Sequence, residues 1–113
     1  MTSHAALLLC MGAGILMVLI SIPMMRAWLP RNHWYGFRTA KTLSADRIWY
    51  PANRYSGWTL FLAGLATVAI TLALLPFAGL LSPDTAALLG TAALVVPLFV
   101  SVWHSFRFLR TLH

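Results

Sequence analysis

Charge is what this sequence has least of. Only 9% of its 113 residues are charged, whereas a water-soluble domain carries about 25%. Acidic residues are scarcer still, two against eight basic ones, for a formal net charge of +6. The single cysteine excludes a disulfide framework within one chain. HExxH, CxxC, GxSxG and phosphate-loop patterns are all missing, and His4, His33, His104 and His113 have no spacing that gathers metal ligands on one helix face. No metal, cofactor or enzymatic activity is therefore expected. Basic residues dispersed among apolar runs also lack the contiguous patch of a nucleic-acid-binding protein, so no nucleic-acid partner is expected either.

What is present is apolar length. Hydrophobic residues make up 60% of the chain, and mean hydropathy is +0.80. Three nearly uncharged stretches, residues 5–25, 58–81 and 85–106, dominate the sequence. At about 1.5 Å rise per residue, some 20 residues match a hydrocarbon core of about 30 Å. Lipid offers no hydrogen bonds to the backbone, so a run that is apolar on every side must bond internally as a helix, and none of the three alternates like a barrel strand. The sequence predicts an all-α integral membrane protein, one domain of three transmembrane helices with a structured basic loop, residues 26–57, between the first two. Met1 to His4 carry no Lys or Arg and the first apolar run is too long for a signal peptide, so it reads as a retained helix.

The bases indicate direction. Arg26, Arg31, Arg38, Lys41, Arg47 and Arg54 lie between the first and second stretches, Arg107 and Arg110 follow the third, and the short second connection holds only Asp84. Placing one Arg at mid-bilayer costs about 2.5 to 3.5 kcal/mol on insertion scales. The expectation is a multi-pass protein of the cell membrane, with its amino terminus outside and its loop and tail in the cytoplasm. Ser82 is placed to cap the third helix and Pro83 to occupy its first turn, which makes helices two and three an antiparallel hairpin. Pro23, Pro76 and Pro97 predict kinks where they fall inside a span. Small residues four apart, Ala63, Thr67 and Thr71 or Ala93, Pro97, Ser101 and Ser105, suit close helix approach and leave a homo-oligomer open. Cys10 reads as a small hydrophobe, and His104 either as an interfacial polar residue or as part of a proton path.

The loop from Pro30 to Gly57 is not a tether. It holds Trp34, Tyr35, Phe37, Trp49, Tyr50 and Tyr55, which favour the headgroup boundary, where a flexible linker would be rich in Gly and Ser. Ser44 is a candidate cap for a short surface helix over residues 44–50, with Asp46 complementing its positive end and Pro51 opening the second span. Gly36 suits a turn with positive φ, and Arg38 offers a planar fork of donors for phosphate or carboxylate. Asp46 is the one loop carboxylate available to Arg38, Arg47 or Arg54.

Asn32, Tyr35-Gly36-Phe37-Arg38-Thr39, Thr42, Trp49, Asn53-Arg54 and Gly57, set between two membrane helices, resemble the signature of the SdpI family, named for immunity to a sporulation-delaying toxic peptide. Phe37 stands where that pattern carries an aliphatic residue, and the founding members have further membrane helices ahead of this unit. The resemblance implies a bacterial membrane protein that confers immunity to a membrane-active toxic peptide, or senses it, with the peptide or a cytoplasmic regulator as partner. It points to Asn32, Gly36, Arg38, Thr39, Thr42, Trp49, Asn53 and Arg54 as the ligand or partner site, to which the charges of the loop add Asp46 and Arg47. The residues alone leave alternatives open. Arginines that merely anchor the loop to membrane lipids gain about 1 kcal/mol each. Several copies could form a small transporter or channel, though no acidic residue lies in mid-span. A lipid-phosphate enzyme would have only Asp46 and His33 as loop acid or base.

Overall fold

The computed structural model describes residues 2–113. The chain makes three long helices, α1 (Ser3–Met25), α2 (Asp46–Leu74) and α3 (Pro83–Leu109), with 3-10 turns at Thr42–Ser44 and Leu75–Leu80. All three are long and apolar enough to cross a membrane. They pack as an up-down-up bundle with extents of 51 × 22 × 19 Å, longer than a hydrocarbon core of about 30 Å. One end carries the loop and all eight bases; the other carries the α2–α3 turn and Asp84. Leu8, Leu19, Leu62, Leu72, Val96 and Phe99 are among the many large apolar side chains on the outside of the bundle, as expected where the surrounding medium is lipid.

Helix ends follow local chemistry. Thr2 caps α1 by accepting from the Ala5 amide at 3.0 Å. Ser82 caps α3 by accepting from Thr85 at 3.1 Å, with Pro83 in the first turn, as the sequence predicts. The α1 exit was not foreseeable from composition. Trp28 N–H donates to Pro23 C=O at 3.0 Å and Ala27 N–H to Met24 C=O at 3.3 Å, the paired bonds of a Schellman stop, with Ala27 at φ 56 where glycine is usual. Pro76 does not kink a continuing helix. It lies in the first turn of the 3-10 segment that ends α2 at Leu74, because its missing amide cannot continue the α pattern.

Two glycines set the α1–α2 spacing. A Cβ on Gly64 would stand 2.7 Å from the Gly14 carbonyl oxygen and 3.0 Å from the Val18 amide, and one on Gly57 would stand 2.7 Å from the Met25 amide. Backbone meets backbone at both points, seven residues apart on α2. Between α2 and α3 the contact is made by hydroxyls. Thr67 Oγ1 donates toward the Ala93 carbonyl at 2.8 Å and Ser101 Oγ donates to Thr59 Oγ1 at 2.9 Å. At the hairpin end Leu7, Ala78 and Ala86 form a small core, and Ser3 Oγ ties α1 to the turn by donating to the Leu81 carbonyl at 2.8 Å.

Candidate functional site: the loop-end clamp

The loop folds back onto α2 because side chains of α2 supply the partners that its irregular backbone lacks. Asn53, 2% exposed, is the centre. Its Oδ1 accepts from the Phe37 amide at 2.7 Å, and its Nδ2 donates to the Phe37 carbonyl at 3.2 Å and the Trp49 carbonyl at 3.0 Å. One amide side chain thus imitates a strand partner for Phe37. Gly36, at φ +107, passes so close that a Cβ there would lie 2.7 Å from Asn53 Oδ1, which is why this turn needs glycine. Trp49 is fully buried and donates from Nε1 to the Leu29 carbonyl at 2.8 Å, pinning the start of the loop.

A second knot holds the far side. Thr39 and Thr42 bond reciprocally: the Thr39 amide donates to Thr42 Oγ1 at 2.7 Å, the Thr42 amide donates to Thr39 Oγ1 at 3.1 Å, and Thr42 Oγ1 donates to the Thr39 carbonyl at 3.1 Å. Asn32 closes the first turn, accepting from the Trp34 and Tyr35 amides at 3.0 and 2.7 Å and donating to the Pro30 carbonyl at 2.8 Å. Tyr35 reaches back to donate to the Ile20 carbonyl of α1. Burial pushes its phenol above the usual range, which keeps it a neutral donor. Phe37 meets Phe106 edge-on at 5.1 Å and packs against Ile48, Ala52 and Leu109. An aromatic at this position therefore serves to reach α3.

The structure thus brings Asn32, Gly36, Thr39, Thr42, Trp49 and Asn53 into the loop's own framework. Arg38, Asp46, Arg47 and Arg54 stay on its exposed surface. Three expectations change. The helix begins at Asp46, with Ala45 as its uncapped boundary, and runs unbroken through Pro51, so residues 44–50 are not a separate surface helix and Pro51 does not open the span. Ser44 lies in the preceding 3-10 turn, and its hydroxyl turns back to the Lys41 carbonyl, which removes it as a cap. Asp46 pairs with none of the three arginines anticipated for it; Arg31 takes it, Nε to Oδ1 at 2.8 Å, while also donating to the Leu43 carbonyl at 3.0 Å. Arg47 and Arg54 project from other points along the helix, and Arg38 donates to the His33 carbonyl instead.

Two cations tie the loop end to α3. Lys41 Nζ donates to the Leu109 carbonyl at 2.8 Å, and Arg47 Nε donates to the main-chain oxygen of His113 at 3.1 Å. Lys41 thereby meets the negative end of α3, where cations are favoured, and Arg47 meets the segment that follows it. A cavity of about 410 Å³ opens between Pro30, Asn32, His33, Leu43 and Tyr50, with the Arg31–Asp46 pair on its wall. Its charges already neutralise each other. Above the clamp Trp34 stands 85% exposed beside Arg38. Among the described residues no group of three or more His, Cys, Asp or Glu converges as a metal site. Sequence reasoning missed the hydroxyl chain of Thr59, Ser101 and Ser105, with Thr59 and Ser105 oxygens 3.1 Å apart. The four-residue spacing of Ala93, Pro97, Ser101 and Ser105 was the available signal. His104 lines a lipid-facing groove beside it, with Ala63, Pro97 and Ser101.

With that geometry in hand, comparison places the loop in context. The sequence model of the SdpI/YfhL protein family matches residues 28–105, which takes in the loop and the α2 residues that hold it. A Bacillus subtilis (strain 168) protein described as the uncharacterized protein YfhL is 36% identical over 63 residues, covering 54% of this chain and 56% of that protein. The chain therefore spans about half the length of the curated relative it matches. No solved structure matches.

Proposed function

This chain belongs to the SdpI/YfhL protein family, and from that membership we propose that it is an immunity or sensing module for a membrane-active toxic peptide. The observation that carries the reading is the rigid loop. The side chains of Asn32, Thr39, Thr42, Trp49 and Asn53 are taken up in holding backbone, so Arg38, Arg47, Arg54 and Trp34 are presented on a fixed surface at the boundary of the bundle. A preorganised cationic and aromatic surface costs little ordering entropy when an amphipathic peptide docks. In this reading the bundle meets the peptide in the bilayer and the loop either completes its binding or passes the event to a cytoplasmic regulator. The concentration of bases at one end supports an orientation with the loop inside and the hairpin outside.

The test is survival. Expressed in a toxin-sensitive bacterium, the chain raises survival against at least one of a panel of related toxic peptides, and Asn53→Leu, which unties the loop, abolishes that protection. Unchanged survival across the panel, with the protein demonstrably in the membrane, overturns the reading. Orientation is checked separately with Ala40→Cys: an impermeant maleimide leaves it unlabelled in intact cells and labels it after permeabilisation.

A further inference from the structure

The cations at the loop end divide into those with a partner and those without. Arg31, Arg38, Lys41 and Arg47 bond to a carboxylate or main-chain oxygen. Arg26 lies over Trp28 at 6.0 Å and Arg107 over Trp103 at 5.3 Å. Arg54 and Arg110 have neither kind of contact among the described residues, and Arg54 faces outward from α2. It does have a chamber. A cavity of about 350 Å³ is walled by Arg54, Tyr50, Pro51, Tyr55, Trp58 and Phe108.

That chamber is built at a particular depth. From Tyr55 to Leu80 the chain carries no charged residue, so Arg54 is the last charge before the apolar run. Tyr50 and Tyr55 flank it, and Trp58, one turn deeper, is 52% exposed, the arrangement of side chains that belongs at the headgroup level. The wall is held in shape: Tyr55 stacks on Phe108 with centroids 4.2 Å apart and 6° between planes, and Trp58 packs edge-on to Phe61 at 6.0 Å. Beyond Trp58 the exposed Leu62 continues the same helix face into the hydrocarbon region.

We propose that this cavity binds one anionic phospholipid molecule, an occupant that goes beyond the peptide reading and does not depend on it. The phosphodiester sits on the Arg54 fork, whose planar donors match two phosphate oxygens. The headgroup lies between the tyrosines, and an acyl chain runs over Trp58 toward Leu62. Charge complementarity selects an anionic headgroup over a zwitterionic one. The only carboxylate side chain at this end, Asp46, is committed to Arg31, so a choline or ethanolamine cation would find no counter-charge. The site differs from general attraction of bases to a membrane surface in having one residue, one depth and one lipid.

Brominated lipids read this directly, because bromine on the acyl chain quenches a neighbouring indole. The full chain in maltoside detergent is titrated with dibrominated phosphatidylglycerol or dibrominated phosphatidylcholine, and the Trp58 signal is taken as the difference from Trp58→Phe. The expected result is saturable quenching by phosphatidylglycerol at about one-tenth of the concentration needed for phosphatidylcholine, the loss typical of one charge-assisted pair. Arg54→Gln raises the phosphatidylglycerol midpoint about tenfold and Arg54→Lys raises it less, since only the fork is lost. Arg110→Gln, an exposed base outside this aromatic wall, leaves it within about twofold. Arg54 has no bond to lose, so its variants keep the fold, and the two-lipid comparison on the unaltered chain decides independently of them. Equal losses at Arg54 and Arg110 would mean diffuse attraction, unsaturable quenching would mean ordinary boundary lipid, and displacement by millimolar inorganic phosphate would mean a soluble-anion site; each overturns the proposal.

Discussion

Thr42 and Thr67 are both fully buried threonines, one in the loop and one in the helix seam, and their hydroxyls do different work. Thr42 Oγ1 accepts from the Thr39 amide and donates to the Thr39 carbonyl, standing in for partners the irregular backbone would otherwise lack. Thr67 Oγ1 donates toward the Ala63 carbonyl at 3.0 Å and toward the Ala93 carbonyl of α3 at 2.8 Å, whose usual donor four residues on is Pro97, which has no amide. Removing the first orphans an amide and a carbonyl in the loop; removing the second takes from the Ala93 carbonyl alone the donor that Pro97 cannot supply. The difference teaches that the loop depends throughout on side chains that satisfy backbone, whereas the seam needs this only where Pro97 interrupts α3 and otherwise rests on how closely backbones approach.

The comparison is broken most forcefully at Asn53. Asn53→Leu removes three bonds and strands both backbone groups of Phe37, an expected loss of about 3 kcal/mol, seen as a large fall in thermal unfolding midpoint in detergent and rapid exchange of the Phe37 amide. Gly64→Val attacks the seam by forcing a side chain against the Gly14 carbonyl and Val18. Helix separation should cost about 2 kcal/mol, and cross-linking between α1 and α2 should fall while the Phe37 amide stays protected. Thr42→Val is expected to cost about 1.5 kcal/mol, with the exchange gain confined to Thr39 and its neighbours. Ala27→Gly should act in the opposite direction, relieving left-handed strain at the α1 stop and adding about 1 kcal/mol to stability. Smallest is Thr67→Val, at about 0.6 kcal/mol, the usual worth of an interhelical hydroxyl in a membrane bundle. If thermal scans gave Thr67→Val and Thr42→Val equal losses, the distinction between the two regions would be lost.

The spans were legible because lipid admits only a narrow class of structure, and twenty apolar residues state their length openly. The Ser82 cap and the positive φ of Gly36 were legible for a similar reason: each depends on one residue type at one position. Asn53, Trp49 and Thr42 could be marked from their pattern, but not as holders of backbone, since their partners at Phe37, Leu29 and Thr39 are fixed only once the chain has turned. Asp46 shows the limit for ion pairs. Its sequence neighbours were the natural suitors, yet fifteen positions upstream Arg31 also reaches the Leu43 carbonyl, and that second bond selects it. Lys41 would pass for an idle surface base until α3 brings the Leu109 carbonyl to it. Gly14 and Gly64 belong to different helices, so no periodicity within either one could announce their contact.

Lys41 joins two parts of the chain that lie 68 positions apart. Because its ammonium grips the last turn of α3, that helix cannot swivel or slide along its axis without dragging the loop or snapping the link.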